Sequence, residues 1–218
     1  FGARGANSGL QDGENLAWKL AAIHHGEAPE TLLATYGLER GEAADDNLGH
    51  STRSTDFIAP QSPAERSLRD AALALAKSHD FAKKMVNSGR LSTATPYRAS
   101  PLSTPDVEQW LGGPQPGWPI PDARIRRPDG TDGYLSECLG RDFTLLIRGA
   151  EIKKLPKDLT VITLGGRGYF DRFGEIAERF ALQSGAAYLI RPDGHVAARF
   201  TAPDAATITA AYRRALGK

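Results

Sequence analysis

The residues best suited to chemistry lie at the start of the sequence, where a glycine-rich stretch leads into an amphipathic helix. Residues 1–12 read Phe-Gly-Ala-Arg-Gly-Ala-Asn-Ser-Gly-Leu-Gln-Asp. Glycines let a ligand approach the backbone, and Asn7 or Ser8 can cap the helix because a short side-chain oxygen accepts a bond from a first-turn N–H. The unpaired N–H groups and the positive dipole end of such a helix suit an electron-rich group. The pattern therefore indicates a binding place for an electron-rich ligand atom.

A purely structural interpretation of this stretch also stands. A glycine-rich turn before a helix is frequently only a turn. Glycines at positions 2, 5 and 9 do not fit the G-x-G-x-x-G fingerprint of dinucleotide-binding domains, and no hydrophobic strand precedes them. Spacing alone does not decide whether the stretch is a simple turn or the ligand-binding start of a helix.

Two other groups of polar residues are weaker candidates. The Glu39-Arg40 pair is typical of an ion pair or a surface element, so we interpret it as structural. Residues 48–61 crowd hydroxyls around His50 and Asp56, which favours a helix end and loop over a substrate-facing or partner-facing surface. No serine or cysteine elbow accompanies a His50–Asp56 dyad, so a nucleophilic triad is not indicated.

The opening stretch resembles a segment of a known enzyme family. Residues 2–12, followed by Asn-Leu-Ala-Trp-Lys-Leu at 15–20, are similar to the last FAD-contacting segment of class A flavoprotein aromatic hydroxylases. This is the para-hydroxybenzoate and phenol hydroxylase family, and the chain looks most like its 3-(3-hydroxyphenyl)propionate hydroxylase branch. Residues 36–40, Tyr-Gly-Leu-Glu-Arg, resemble the Tyr-x-x-Glu-Arg helix ending of the same family.

The resemblance implies which residues hold the cofactor. In the family this segment lies against the pyrimidine edge of the isoalloxazine, so backbone N–H groups around Gly5, Ala6 and Asn7 would face the flavin N1–O2 edge. Gly2 belongs to the same cofactor-binding stretch. Arg4 either adds positive charge near the ring or is a solvent-exposed arginine. No catalytic residue and no metal ligand is assigned, since the residue that orients the phenol is expected upstream.

The resemblance also implies an activity and its partners. The intact enzyme would be an FAD- and NAD(P)H-dependent monooxygenase that transfers one oxygen atom of O2 to a phenolic small molecule, and we expect a homo-oligomer. The sequence starts at Phe1 in the middle of the motif and lacks the expected G-x-G-x-x-G and Gly-Asp segments. We therefore expect the C-terminal part of a longer enzyme, inactive alone. Whether NADH or NADPH is used, and which phenol reacts, stays open.

Hydrophobic periodicity predicts three helices that position the opening stretch. The expected ranges are about 8–25, 30–47 and 63–86. The first helix is expected to bury a face formed by Leu10, Leu16, Leu20 and Ile23. Seven prolines in residues 91–121 predict an extended linker, whose residues Trp110 and Trp118 should pack on a domain.

A second unit, beginning near residue 122, alternates strands with helices. The expected strands are 143–148, 159–164, 186–191 and 195–200, the last two joined by a Pro192-Asp193-Gly194 turn, and the expected helices are 170–183 and 203–216. This layout resembles the thioredoxin-like C-terminal domain of phenol hydroxylase, including the hairpin sequence at 188–199. The predicted fold is therefore α/β: the helical end of an FAD-binding domain (1–90), a proline-rich linker (91–121) and a thioredoxin-like domain lacking CxxC (122–218).

Composition narrows the remaining possibilities. The chain has 218 residues and a net charge of +1, which gives no argument for a nucleic-acid or membrane partner. No apolar run approaches the roughly 18 residues of a membrane helix. Cys138 is the only cysteine, which excludes a dithiol and fits a reducing cytoplasm, so we expect a cytoplasmic protein and assign Cys138 no redox role. The alternatives are a non-catalytic thioredoxin-like oligomerisation or interaction module and a thiol-dependent peroxidase or reductase.

Overall fold

The structure of the chain, a computed structural model, describes residues 4–86, 94–149 and 151–218, with only the backbone for Arg4. The chain divides into two compact units. The first comprises Phe1–Gly13 and Arg40–Thr95, and the second comprises Glu14–Glu39 and Pro96–Lys218. These units follow spatial proximity, whereas the predicted boundaries 1–90, 91–121 and 122–218 follow sequence and remain a prediction.

The N-terminal half of the described chain is helical, with bounds that differ from the predicted ones. Its helices are α1 (Arg4–His24), α2 (Ala34–Ile58), α3 (Pro63–Leu75) and α4 (Asp80–Val86). Since α1 begins at Arg4, the expected turn over residues 5–7 is helical, and Asn7 and Ser8 lie inside the helix instead of capping it. A short 3-10 turn, Glu30–Leu33, precedes α2.

The segment 48–61 is helical through Ile58, so the expected loop was wrong for most of its length. The hydroxyls of Ser54 and Thr55 donate to the carbonyls of His50 and Ser51, 2.9 Å away in both cases. Such bonding to the carbonyl four residues earlier satisfies the hydroxyl within a helix, which is why polar residues here do not end it.

The predicted third helix is interrupted after Ala76. Ser62 caps α3, and Glu65 returns a bond to the Ser62 backbone N–H, which completes a capping box. The following residues 77–79 form a turn before α4.

The C-terminal half is a mixed α/β structure, as predicted. The described strands and helices are β1 (Arg124–Arg126), β2 (Asp132–Tyr134), β3 (Phe143–Arg148), β4 (Leu159–Leu164), α5 (Glu175–Arg179), β5 (Ala187–Ile190), β6 (Val196–Phe200) and α6 (Ala205–Ala215). Within the described residues, four strands form a sheet in the order β4-β3-β5-β6. The β3–β4 pair is parallel, whereas β5 is antiparallel to β3 and β6 to β5.

The parallel pair has a short connection. Parallel strands are usually joined by a helix, but the described part of this connection, residues 151–158, contains none. The sheet face formed by Phe143, Leu145 and Ile147 instead shares one core with Trp18 and Ala22 of α1, together with side chains of α6. The second half of α1 is thus a structural layer of the sheet unit.

The proline-rich segment follows the edge strand β6. The N–H of Thr104 donates to the Ala197 carbonyl at 2.8 Å, and the N–H of Gly117 donates to the Val196 carbonyl at 2.7 Å. Trp110 packs edge-on against Tyr188, as expected, with ring centroids 5.3 Å apart. We call residues 97–120 the strap. It covers an edge that would otherwise present unpaired backbone groups.

Candidate functional site

The residues predicted to bind the cofactor lie at the start of α1. Gly5, Ala6 and Asn7 belong to its first turns, while Gly2 and the Arg4 side chain lie outside the described part of the structure. The first N–H groups of a helix have no carbonyl partner within it. A Cβ atom added to Gly5 would meet nothing within 4 Å, and the same holds at Gly9. The start of α1 therefore combines backbone donors with an unobstructed glycine surface that a flat ring could approach.

Contacts within the first unit attach this start to α2. Arg40 donates to the Asp12 carboxylate and, at 3.3 Å, to the Ser8 carbonyl. Asn47 donates to the Ser8 hydroxyl at 2.8 Å. Arg40, predicted to be structural, therefore connects two helices through a half-exposed aspartate.

The buried face of α1 is not the one that its leucines predicted. Leu10 is 70% exposed and Leu20 is 47% exposed, whereas Leu16 and Ile23 are partly buried, so only half of the expected face is covered. The buried positions are instead Asn15, Trp18 and Lys19, followed one turn later by Ala22. Their spacing of three and four residues still defines one helical face. Apolar periodicity missed it because two of its members are polar.

The polar residues of this face lie within a group of four buried charged side chains, which we call the buried ion network. They are Lys19, Glu39, Arg191 and Asp193, each no more than 3% exposed. The guanidinium of Arg191 donates to both oxygens of Glu39, at 2.6 and 2.9 Å, and to both oxygens of Asp193, at 3.0 and 2.6 Å. Lys19 Nζ lies 2.8 Å from Glu39 Oε2. The network contains two positive and two negative charges and is balanced.

Neutral groups complete the network. Asn15 Nδ2 donates to Glu39 at 2.8 Å and to Asp193 at 3.1 Å, and the Trp18 indole donates to Asp193 at 3.1 Å. Ser100 of the strap donates its hydroxyl proton to Glu39. These bonds matter because burying an ion is unfavourable unless its remaining hydrogen-bonding positions are also satisfied.

The network determines which ionisation states are favoured. Burial alone would raise the pKa of Glu39, but the charge and hydrogen bonds of Arg191, with Lys19, lower it to about 2. The same guanidinium holds the pKa of Asp193 well below its usual range against the effect of burial. Burial lowers the pKa of Lys19, an effect that Glu39 opposes. Both carboxylates are therefore anionic at neutral pH.

The histidine of the hairpin adjoins this network. His195 Nδ1 lies 3.1 Å from the Asp193 carbonyl, and its ring stacks on Tyr97 with centroids 4.2 Å apart. The predicted Pro192-Asp193-Gly194 turn is present, but its aspartate points inward and carries a buried charge. The turn residues at 192–194 could predict the bend, but they could not predict the buried charge of Asp193.

The other sequence candidates do not assemble a catalytic group. His50 lies 3.6 Å from the Asp46 carboxylate one turn earlier in α2, and Asp56 is on a different face of that helix. Burial raises the pKa of the Cys138 thiol, an effect partly opposed by Arg127.

Among the described residues, no cluster of three or more histidine, cysteine or acidic side chains could hold a metal ion. In that same part of the chain, no helix combines the length and apolar character needed to cross a membrane.

Comparison with known proteins identifies the family. Residues 1–51 match the profile described as FAD binding domain, and residues 113–218 match the one described as aromatic-ring hydroxylase, C-terminal. The tetracenomycin A2 monooxygenase-dioxygenase of Streptomyces glaucescens is 33% identical over 215 residues, which cover 91% of this chain and 35% of that protein. A 3-(3-hydroxy-phenyl)propionate/3-hydroxycinnamic acid hydroxylase of Mycobacterium sp. (strain KMS) is 29% identical over 181 residues, covering 81% of this chain and 29% of that protein.

A solved structure agrees with these matches. The ternary complex of aklavinone-11 hydroxylase with FAD and aklavinone covers 97% of this chain and 40% of its own, with a TM-score of 0.67 and 25% identity. The chain thus spans less than half the length of the relatives it matches. It belongs to the flavin-dependent aromatic-ring hydroxylase family, as its opening motif predicted. FAD is the cofactor of that family, and the donors and open glycine surface at the start of α1 fit a flavin edge.

Proposed function

We propose that the chain is the C-terminal part of an FAD- and NAD(P)H-dependent aromatic monooxygenase and supplies one edge of its flavin site. The observation that carries this proposal is the start of α1, where the family motif coincides with first-turn donors and with open space beside Gly5. The match of residues 1–51 to an FAD binding domain supports it. The domain boundaries 1–90, 91–121 and 122–218, and a cytoplasmic location, belong to the same proposal.

The role of each residue follows from its place on the helix. FAD, when bound, supplies the oxygen-transfer chemistry. The backbone N–H groups around Gly5, Ala6 and Asn7 would donate to the N1–O2 edge of the flavin, and Gly2 is assigned to the same cofactor-binding stretch. Oriented donors at a helix N-terminus stabilise negative charge that develops next to them. The role proposed for Arg4 is to add positive charge near the flavin ring.

The proposed substrate is a phenolic small molecule that reacts together with O2. The names of the relatives include tetracenomycin A2, which gives one candidate class, and 3-(3-hydroxy-phenyl)propionate, which gives a phenylpropionate class. Substrate-stimulated NAD(P)H oxidation, measured with one phenol of each class, distinguishes them. If the complete polypeptide responds to neither phenol, both candidate substrate classes are rejected.

We also propose a homo-oligomer, because two apolar side chains of the sheet unit are almost fully exposed. Val107 is 96% exposed and Leu111 is 84% exposed. Both lie in the strap region, where a second copy would cover them. Sedimentation velocity of the chain tests this, and a monomer at micromolar concentration would contradict it.

A glycine substitution tests the flavin edge in the polypeptide that carries the upstream FAD-binding portion. Gly5→Leu places a side chain where the flavin is proposed to lie, so we expect FAD to bind at least tenfold more weakly by flavin fluorescence titration. Gly37→Leu is the matched control, because Gly37 is also helical and its added Cβ also meets nothing within 4 Å. Equal FAD affinities for the two variants would reject the proposed edge.

A further inference from the structure

The buried ion network has no step in the proposed function, yet it joins distant parts of the sequence. Lys19 and Glu39 come from α1 and α2, whereas Arg191 and Asp193 come from the turn between β5 and β6. The Arg191–Glu39 pair spans 152 positions. All of these side chains lie in the same compact unit. The network therefore fastens the second half of α1, from Glu14 onwards, to the C-terminal sheet.

The network fixes both the rotation of α1 about its axis and its position along that axis. Asn15 donates to both carboxylates, Trp18 to one, and Lys19 to the other. α1 is continuous from Arg4 to His24, so Gly5 stands ten residues, or about 15 Å of helix, before Asn15. A rotation of the helix by one residue, about 100°, would remove these contacts and redirect the first-turn N–H groups.

Ions define such a placement more narrowly than apolar contacts do. A bidentate guanidinium–carboxylate pair accepts a narrow range of angles, whereas leucine side chains repack when a helix slides. Replacing a buried ion pair by apolar residues is frequently neutral or stabilising, so stability alone does not account for four buried charges. Fixing the position of a helix is a role that paired and hydrogen-bonded buried ions can have.

We propose that Arg191 and Asp193 are positioning residues for the flavin edge, acting through Glu39, Asn15, Trp18 and Lys19 to fix the orientation of α1. This inference rests on the proposed function. It gives a specific role to the C-terminal domain, which lacks a dithiol, because the hairpin turn of that domain supplies half of the charges that orient the helix. Arg191 and Asp193 touch no reacting atom, so their effect reaches the flavin only through α1.

The first test needs no flavin. Amide hydrogen exchange is measured in the 218-residue chain for the wild type, Arg191→Met and the control Arg199→Met. Arg199 pairs with Asp106 and donates to the carbonyl of Gly112, so its partners lie in the strap region instead of α1. We expect Arg191→Met to accelerate exchange in residues 8–22 at least tenfold while β3 and β5 stay protected, and Arg199→Met to leave α1 at the wild-type rate.

A balanced variant covers the case in which Arg191→Met does not fold. Lys19→Met with Glu39→Gln removes one charge of each sign and leaves Arg191 paired with Asp193. The inference requires faster α1 exchange in this double variant as well. Wild-type exchange in α1 of either folded variant, or equal acceleration by Arg199→Met, would overturn it.

The second test uses the polypeptide with its FAD-binding portion. We expect Asp193→Asn to shift the bound-flavin spectrum and to raise the fraction of NAD(P)H oxidation that ends as H2O2 at least threefold, whereas Arg199→Met does neither. A wild type that binds no FAD would refute the proposed function and leave the exchange result standing. A wild type that binds FAD while Asp193→Asn changes neither readout would refute this inference alone.

Discussion

Adjacent residues of α2 serve two different parts of the molecule. Glu39 enters the buried ion network, whereas Arg40 pairs with Asp12 of the first unit. The sequence predicted an ion pair or a surface element at this dipeptide; both residues form ion pairs, and both are buried. It could not indicate their partners, because Arg191 lies 152 positions away and no local pattern connects it to Glu39.

The ionisation of Glu39 makes the stability of the fold depend on pH. Its pKa is about 2 in the folded chain against an ordinary value of 4.5. A lowered carboxyl pKa contributes stability that is present above pH 4.5 and is lost as the pH falls towards 2, a difference of roughly 3 kcal/mol at 1.4 kcal/mol per pKa unit. We expect the free energy of unfolding to fall across this window, measured by urea titration at pH 6, 4 and 3.

The double variant Lys19→Met with Glu39→Gln isolates this contribution. It removes the titrating carboxylate and keeps the charge balance, so its stability should fall less steeply between pH 4.5 and 2. Glu14→Gln, an exposed carboxylate of α1, serves as the control and should retain the wild-type slope. The same slope in the double variant and the wild type would show that Glu39 is not the group responsible.

At the level of elements, local pattern predicted most of the apolar sheet unit, but the helix expected at 170–183 is limited to Glu175–Arg179. Strands β3 and β4 were predicted at their observed bounds, and the β5–β6 hairpin and α6 within two residues. Each of these strands is a short apolar run bounded by turn residues, and α6 is a helix with one apolar face. The strands β1 and β2 were missed, because three-residue strands carry no measurable alternation.

Helix α1 is where pattern failed for a physical reason. Its leucines predicted one buried face, but the face that is buried carries the polar residues Asn15 and Lys19 together with Trp18. Hydrophobic periodicity assumes that buried positions are apolar, and a balanced set of buried ions violates that assumption. The spacing of Asn15, Trp18 and Lys19 was a usable signal, since a tryptophan between two polar residues on one face fits a hydrogen-bonded interior.

The strap offers a test of how this segment is held against β6. Gly117 has a φ of +84°, and a Cβ added there would lie 2.3 Å from the Tyr97 carbonyl oxygen. We expect Gly117→Ala to destabilise the chain by about 1–3 kcal/mol and to lower Tm, because alanine disfavours this φ and the clash is with backbone.

A neighbouring glycine provides the matched control for this prediction. An added Cβ at Gly112 would make an ordinary contact of 3.5 Å with Ala181. Gly112→Ala should therefore leave Tm within about one degree, since surface changes of this kind stay near ±0.5 kcal/mol. Equal melting temperatures for the two variants in a calorimetric scan would disprove the strained placement of Gly117.

At the scale of the whole molecule, family and fold class could be predicted, because an ordered motif of eleven residues and a strand–helix alternation are both local. The site was predicted only in part: the sequence named Gly2, Arg4, Gly5, Ala6 and Asn7 as cofactor-binding residues, and that assignment remains a prediction. The ion network was not foreseen, since its members are brought together only by the completed sheet unit.

The chain alone should bind FAD weakly or not at all. The proposed site has one edge in residues 2–7, whereas the contacts to phosphate and adenine are expected in the upstream portion. We expect the purified 218-residue chain to show less than a tenth of stoichiometric flavin absorbance after incubation with FAD and desalting. A yellow, stoichiometric complex would contradict the proposal that these residues form only part of the site.

The Arg191–Glu39 pair also has a consequence for biosynthesis. A ribosome completes α1 and α2 long before it releases the hairpin, since 152 residues separate Glu39 from Arg191. Until then Glu39 and Lys19 lack their balancing partners, and their burial is unfavourable. We expect arrested nascent chains whose residue 191 is still inside the ribosome to remain sensitive to protease within α1, and chains extended by a C-terminal linker that exposes the hairpin to become resistant. Flavin loading would then be a late event, after translation has supplied the last charge.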